Sequence, residues 1–170
     1  QELVEQYDFV PKTTCDTELL AYLIDKFGVD AVKLIDSMHA FAYYDKSNKT
    51  IILSRDHVGI KPLFYAEISD GIIFGSEIKG MLDYVPNSRK IDDLAAACMS
   101  YSGNNVTRNT MFTNIKKIMP GETVVYSVAH KKFISHNRTV ITPTSNSSLD
   151  LAQFRHEAYE TVKMSTLGIR

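Results

Sequence analysis

The chain has 170 residues, 44% of them apolar and 23% charged, enough for one compact domain with a sizeable core. Nineteen basic residues against twenty acidic ones leave a net charge of −1, so no global field favours nucleic acid or an anionic membrane surface. No apolar run approaches the roughly 20 residues that span a bilayer, and QELVEQYDF has no signal-peptide character, so a soluble protein of the cytoplasm is expected.

The first strong periodic signal lies over residues 14–27, where Leu19, Leu20, Leu23, Ile24 and Phe27 recur at helical spacing. Thr14 and Asp16 are capping candidates and Gly28 is placed to end the helix. A shorter helix is expected over 30–36, packed on the first through Ala31, Val32, Leu34 and Ile35. Four strand candidates follow: HAFAYYD (39–45), TIILSRD (50–56), PLFYAE (62–67) and GIIFGSE (71–77). Their short turns predict an antiparallel meander, and their near-continuous apolar and aromatic character predicts a sheet covered on both faces.

EIKGMLDY (77–84) and IDDLAAACMSYS (91–102) read as helices, the second with a small-residue face from Ala95 to Cys98. Residues 103–114 are polar and aperiodic, hence a loop. The stretch from Lys116 to Asn137 reads as a Pro-Gly turn and a hairpin at the periphery. VITPTSNSSLD (140–150) has linker composition and places a domain boundary near 145. Beyond it Leu151, Phe154, Ala158 and Val162 form one stripe of a final helix, from Leu149 to Met164.

Motifs for phosphate, metal or hydrolase chemistry are missing from the sequence: GxGxxG, P-loop, HExxH and GxSxG do not occur. Cys15 and Cys98 stand far apart with no zinc spacing and no paired histidine, so they are expected to be free, buried thiols, with no metal or cofactor held by this chain. His57 adjoins Asp56, but neighbours on a strand face opposite ways, which argues against an acid/base pair. Arg55 and Asp56 are either an ion pair that holds the fold or part of a site. Asp16 is either an N-cap or a carboxylate for a cationic ligand group. Lys116-Lys117 and Lys131-Lys132 lack the interleaved aromatics of a nucleic-acid surface and read as solvated.

Taken in order, TTCDTELLAYLIDKFG, HAFAYYD, SRDHVGIKPLFYA, GIIFGSEIKGML, IKKIMPGETVVY and the trailing FRHEAYETVKMS resemble one family. It is the glutaminase domain of glutamine-hydrolysing asparagine synthetases, class II glutamine amidotransferases of the N-terminal-nucleophile hydrolase superfamily. The resemblance implies an α/β (α+β) fold, a four-layer α/β/β/α sandwich incomplete at its N-terminus. It assigns residues 1–145 to the amidotransferase domain and 146–170 to a linker and the first helix of an ATP-pyrophosphatase synthetase domain.

The family's nucleophile is an N-terminal cysteine activated by its own α-amino group. Gln1 stands at the start here, so the resemblance places no catalytic residue in this chain, which by itself is expected to be inactive. Asp16, in the DTE motif, inherits the role of binding the α-ammonium of glutamine. Arg55, Asp56, Gly59 and Pro62 inherit an architectural turn. ATP and Mg2+ belong to the synthetase domain, which with glutamine and a second copy of the chain completes the expected partners. Ammonia released from glutamine would serve the ATP-dependent conversion of aspartate to asparagine. A scaffold domain without glutaminase activity, as in β-lactam synthetases, or another class II amidotransferase is the alternative. The pattern departs from the family at Ser37 and His39, where Gly and Phe are usual, and His39 inherits no role.

Overall fold

The computed structural model describes residues 2–139 and 150–167; the expected linker and the boundary near 145 lie outside the described residues. The chain divides into two compact units, Gln1–Val140 and Ile141–Arg170.

In the first unit, α1 (Glu2–Gln6) precedes α2 (Asp16–Phe27). Gly28, at φ +59, turns the chain out of α2 while its N–H still donates to the Ile24 carbonyl. The second expected helix is a 3₁₀ turn, Gly28–Leu34, whose Ala31 is fully buried beside Leu23 and Ile24. The strands are β1 (Ala40–Asp45), β2 (Thr50–Arg55), β3 (Phe64–Ile68), β4 (Gly71–Gly75), β5 (Lys116–Lys117), β6 (Glu122–Ser127) and β7 (Lys132–Arg138). All their pairings are antiparallel.

The meander does not form as expected. β1 and β2 belong to a four-stranded sheet of order β1-β2-β6-β7, whereas β3 and β4 belong to a second sheet of order β4-β3-β5. The turn between β2 and β3 therefore carries the chain from one sheet to the other. The hairpin expected at the periphery is also corrected. β6 lies between β2 and β7, and five of its six residues are buried.

Strand alternation explains why two sheets hold three cores. Ile52 and Val125 turn towards α2 and join Leu23, Ile24 and Ala31. Their neighbours Leu53 and Val124 turn the other way, where they meet Leu63, Tyr65 and Ile118. Next to Tyr65, Ala66 faces a third cluster with Met81, Val85 and Ile115. Each fully buried aliphatic side chain contributes about 2 kcal/mol by leaving water.

EIKGMLDY makes only a 3₁₀ turn, Ile78–Gly80, because Gly80 weakens any longer helix at its middle. The helix expected over 91–102 is α3 (Asp93–Ser102), capped where the Asp92 carboxylate accepts from the Ala95 N–H at 2.9 Å. Only Ala95 of its small residues is fully buried. The polar loop before β5 is pinned by Arg108, which donates to both oxygens of the buried Glu122 carboxylate at 2.6 and 2.7 Å. In the second unit α4 (Leu151–Leu167) exposes Leu151, Phe154 and Val162.

Candidate functional site

A cavity of about 730 Å³ opens beside the first turn of α2. Its floor is the apolar face of that helix, including Leu19, Leu20 and Leu23. Asp16 stands at the rim as the first residue of α2.

The DTE sequence divides two tasks between its carboxylates. Glu18 reaches back to the approaching chain, accepting from the Lys12 N–H at 3.0 Å, the Thr13 N–H at 2.9 Å and the Thr13 hydroxyl at 2.8 Å. Hydrogen bonds from Lys12 and Thr13 hold its carboxyl below the usual range. Cys15 occupies the N-cap position without a side-chain cap bond. Asp16 is exposed and makes no hydrogen bond among the described residues, so the capping alternative is corrected and its carboxylate remains available at the positive end of the helix.

The facing wall comes from the entry to β1. His39 is buried, with Nδ1 3.1 Å from the Ser37 hydroxyl and Nε2 3.4 Å from that of Ser54. Ser54 Oγ in turn lies 2.8 Å from Thr123 Oγ1 on the paired strand β6. Burial pushes the His39 pKa down, partly opposed by Asp56, so the ring is neutral at pH 7.

Lys61 and Pro62 bring the end of the 54–65 turn to the same cavity. Arg55 and Asp56 do not form the expected ion pair. They leave the strand on opposite faces, and each binds backbone instead. Arg55 donates through Nε to the Lys61 carbonyl at 2.7 Å, through Nη1 to Ile118 at 2.9 Å and through Nη2 to Gly59 at 2.6 Å. Asp56, 3% exposed, accepts from the N–H groups of Val58 (3.2 Å), Ile60 (2.9 Å) and Lys61 (3.0 Å). Burial would raise its pKa, but the backbone donors outweigh it and hold the carboxyl low.

Gly59 sits at φ +73, and a Cβ there would lie 2.8 Å from Pro120 Cγ and 3.1 Å from Arg55 Cζ. The turn admits no side chain at that point. Pro62 lies two residues before β3, in the approach to the second sheet.

Asp16, Lys61 and Pro62 thus share one cavity, while Arg55, Asp56 and Gly59 build the turn that presents two of them. His39 and Lys61 were missed by sequence reasoning. The departure from the family pattern at position 39 was a signal for the first; nothing local marked the second. Neither cysteine lines the cavity, and Cys15 is exposed where a buried thiol was expected. Hydrogen bonds from Thr17 lower its pKa. The arrangement offers two exposed carboxylates, Asp16 and Asp36, for a small cationic group, an apolar floor for a short chain and a neutral imidazole in the wall.

The glutamine amidotransferase domain family matches residues 1–137. Among curated proteins, a putative glutamine-hydrolysing asparagine synthetase of Methanocaldococcus jannaschii is 41% identical over 81 residues, 48% of this chain and 16% of that protein. A Bacillus subtilis asparagine synthetase is 30% identical over 115 residues, 67% of this chain and 19% of the relative. The human asparagine synthetase is 26% identical over 144 residues, 71% of this chain and 26% of the relative. The chain spans about a quarter or less of the length of these relatives.

Proposed function

The chain belongs to the glutamine amidotransferase domain family, and from that premise we propose that it is the ammonia-supplying domain of a cytoplasmic, glutamine-hydrolysing asparagine synthetase. The observation that carries this is the unengaged carboxylate of Asp16 above a leucine floor. In the intact protein Asp16 receives the α-ammonium of glutamine, whose methylenes lie along Leu19 and Leu20. Hydrolysis is the task of an N-terminal cysteine of the family type, since neither Cys15 nor Cys98 lines the cavity. Released ammonia then serves the ATP-dependent amidation of aspartate.

The same reading takes the three cores as the interfaces of a four-layer α/β/β/α sandwich, with helices outside and two sheets within. It divides the chain at about residue 145 and makes α4 the leading helix of a synthetase portion. The exposed stripe of Leu151, Phe154 and Val162 supports that assignment, because such a face needs a partner surface.

Asp16→Asn in the full-length protein tests the proposal. Removing a charge-assisted bond of about 1.5 to 3 kcal/mol should lower glutamine-dependent synthesis by roughly 10- to 150-fold and spare synthesis from added ammonia. The unfolding free energy should stay within about 0.5 kcal/mol of the unaltered protein's. Equal loss of both activities would overturn the ligand role.

A further inference from the structure

A second cavity, of about 680 Å³, shares no lining residue with the first. Arg55, Lys117 and Arg138 all line it, and among the described residues no aspartate or glutamate does. Lys117 was expected on a solvated surface, yet it is partly buried and its ammonium donates to the Asn105 carbonyl. Arg138 Nε donates to the Pro120 carbonyl at 3.1 Å, and Arg55 gives three of its five N–H donors to carbonyls.

Neutral carbonyls orient these cations without cancelling their charge. Among the described residues none of the three makes an ion pair. The nearby Asp56 carboxylate is committed to the turn amides, and Glu122 is committed to Arg108. Burial lowers the pKa of Lys117, and the neighbouring Arg55 lowers it further. Arg55 and Lys117 are partly buried and Arg138 is exposed, and like charges lining one cavity repel one another until an anion joins them.

The rest of the lining narrows the ligand. Phe64 and Met99 supply apolar surface, while Asn104 and Asn109 supply amides. We propose that this cavity binds a small organic anion, with a carboxylate or phosphoryl group among Arg55, Lys117 and Arg138 and an apolar body against Phe64 and Met99.

Nuclear magnetic resonance titration of the full chain tests this, with inorganic phosphate, phenyl phosphate and benzoate as probes at constant ionic strength. Saturable shifts are expected at Asn104, Asn105, Asn109 and Thr110, with an organic probe at least tenfold tighter than inorganic phosphate. The stronger of phenyl phosphate and benzoate identifies the preferred oxyanion. Lys117→Gln and Arg138→Gln should each weaken binding tenfold or more. Lys117→Arg should retain it, and Lys132→Gln, outside the cavity, should change nothing. Absence of saturable shifts in the unmodified chain, or equal affinity after both charge removals, would overturn the proposal.

Discussion

The two cavities have similar volumes, about 730 and 680 Å³, but opposite chemistry. One sets the carboxylates of Asp16 and Asp36 beside leucines; the other gathers three cations without an acid among the described residues. Both borrow from one turn, which gives Lys61 and Pro62 to the first and Arg55 and Gly59 to the second. The difference teaches that a single stiff segment can act as a partition, with its backbone shared and its side chains divided. That stiffness comes from two charged side chains that make no hydrogen bond to each other and instead bind backbone amides and carbonyls of the turn and of Ile118. Loosening the partition should damage both sides, whereas editing one face should not.

Asp56→Ala is the strongest way to erase the distinction. It strips the acceptor from three backbone N–H groups around a 3% exposed site, for a cost of about 3 to 5 kcal/mol. Urea unfolding measures the cost, and a loss under about 1 kcal/mol would show that the turn does not depend on this carboxylate. Gly59→Ala comes next, at about 2 to 3 kcal/mol, since the added methyl meets Pro120 at 2.8 Å with φ at +73. Thermal melting should fall by several degrees. An unchanged midpoint would mean that Pro120 gives way freely.

The smallest effect sharpens the comparison, because it belongs to the first cavity alone. His39 has a folded pKa below its ordinary 6.5, so between those two values the unfolded chain binds more protons. Stability from this group is present above pH 6.5 and drains away as pH falls through 6.5 towards the folded value. Asp56 and Glu122, also depressed, act in a separate window, below about their ordinary 3.8 and 4.5. His39→Phe should therefore flatten stability between pH 7.5 and 5.5 and leave the acid limb intact, as read by denaturant midpoints across pH. A persistent slope in the first window would place its origin elsewhere.

Local pattern made the ingredients legible, and long-range pairing hid their assembly. Leu19, Leu20, Leu23, Ile24 and Phe27 announced α2, and strand composition announced β1 to β4, because side-chain period is a local property. Their division between sheets depends on β6, whose Thr123 pairs with Ser54, 69 residues earlier in the chain. No window of neighbouring residues contains that partner. The unbroken TVVY run did carry a sign that β6 is interior, masked by the Pro-Gly turn before it. At the site, the DTE motif pointed to Asp16, but only geometry shows that Cys15 takes the N-cap position and that Glu18 binds the chain ahead of the helix. The cationic cavity joins residues 55, 117 and 138, which no spacing rule connects.

The polar row from Ser37 through His39 and Ser54 to Thr123 has a directional consequence. A neutral imidazole offers one donor and one acceptor, and each hydroxyl has a single proton to point. The contacts then settle into either of two concerted senses, so the tautomer at the cavity wall and the hydroxyl orientation between strands are chosen together. Protonated His39 would donate at both ends and abolish that choice, forcing Ser54 to accept from the ring and send its own proton towards Thr123. One titration at the cavity would thus be written into the orientation of a hydroxyl pair inside the sheet.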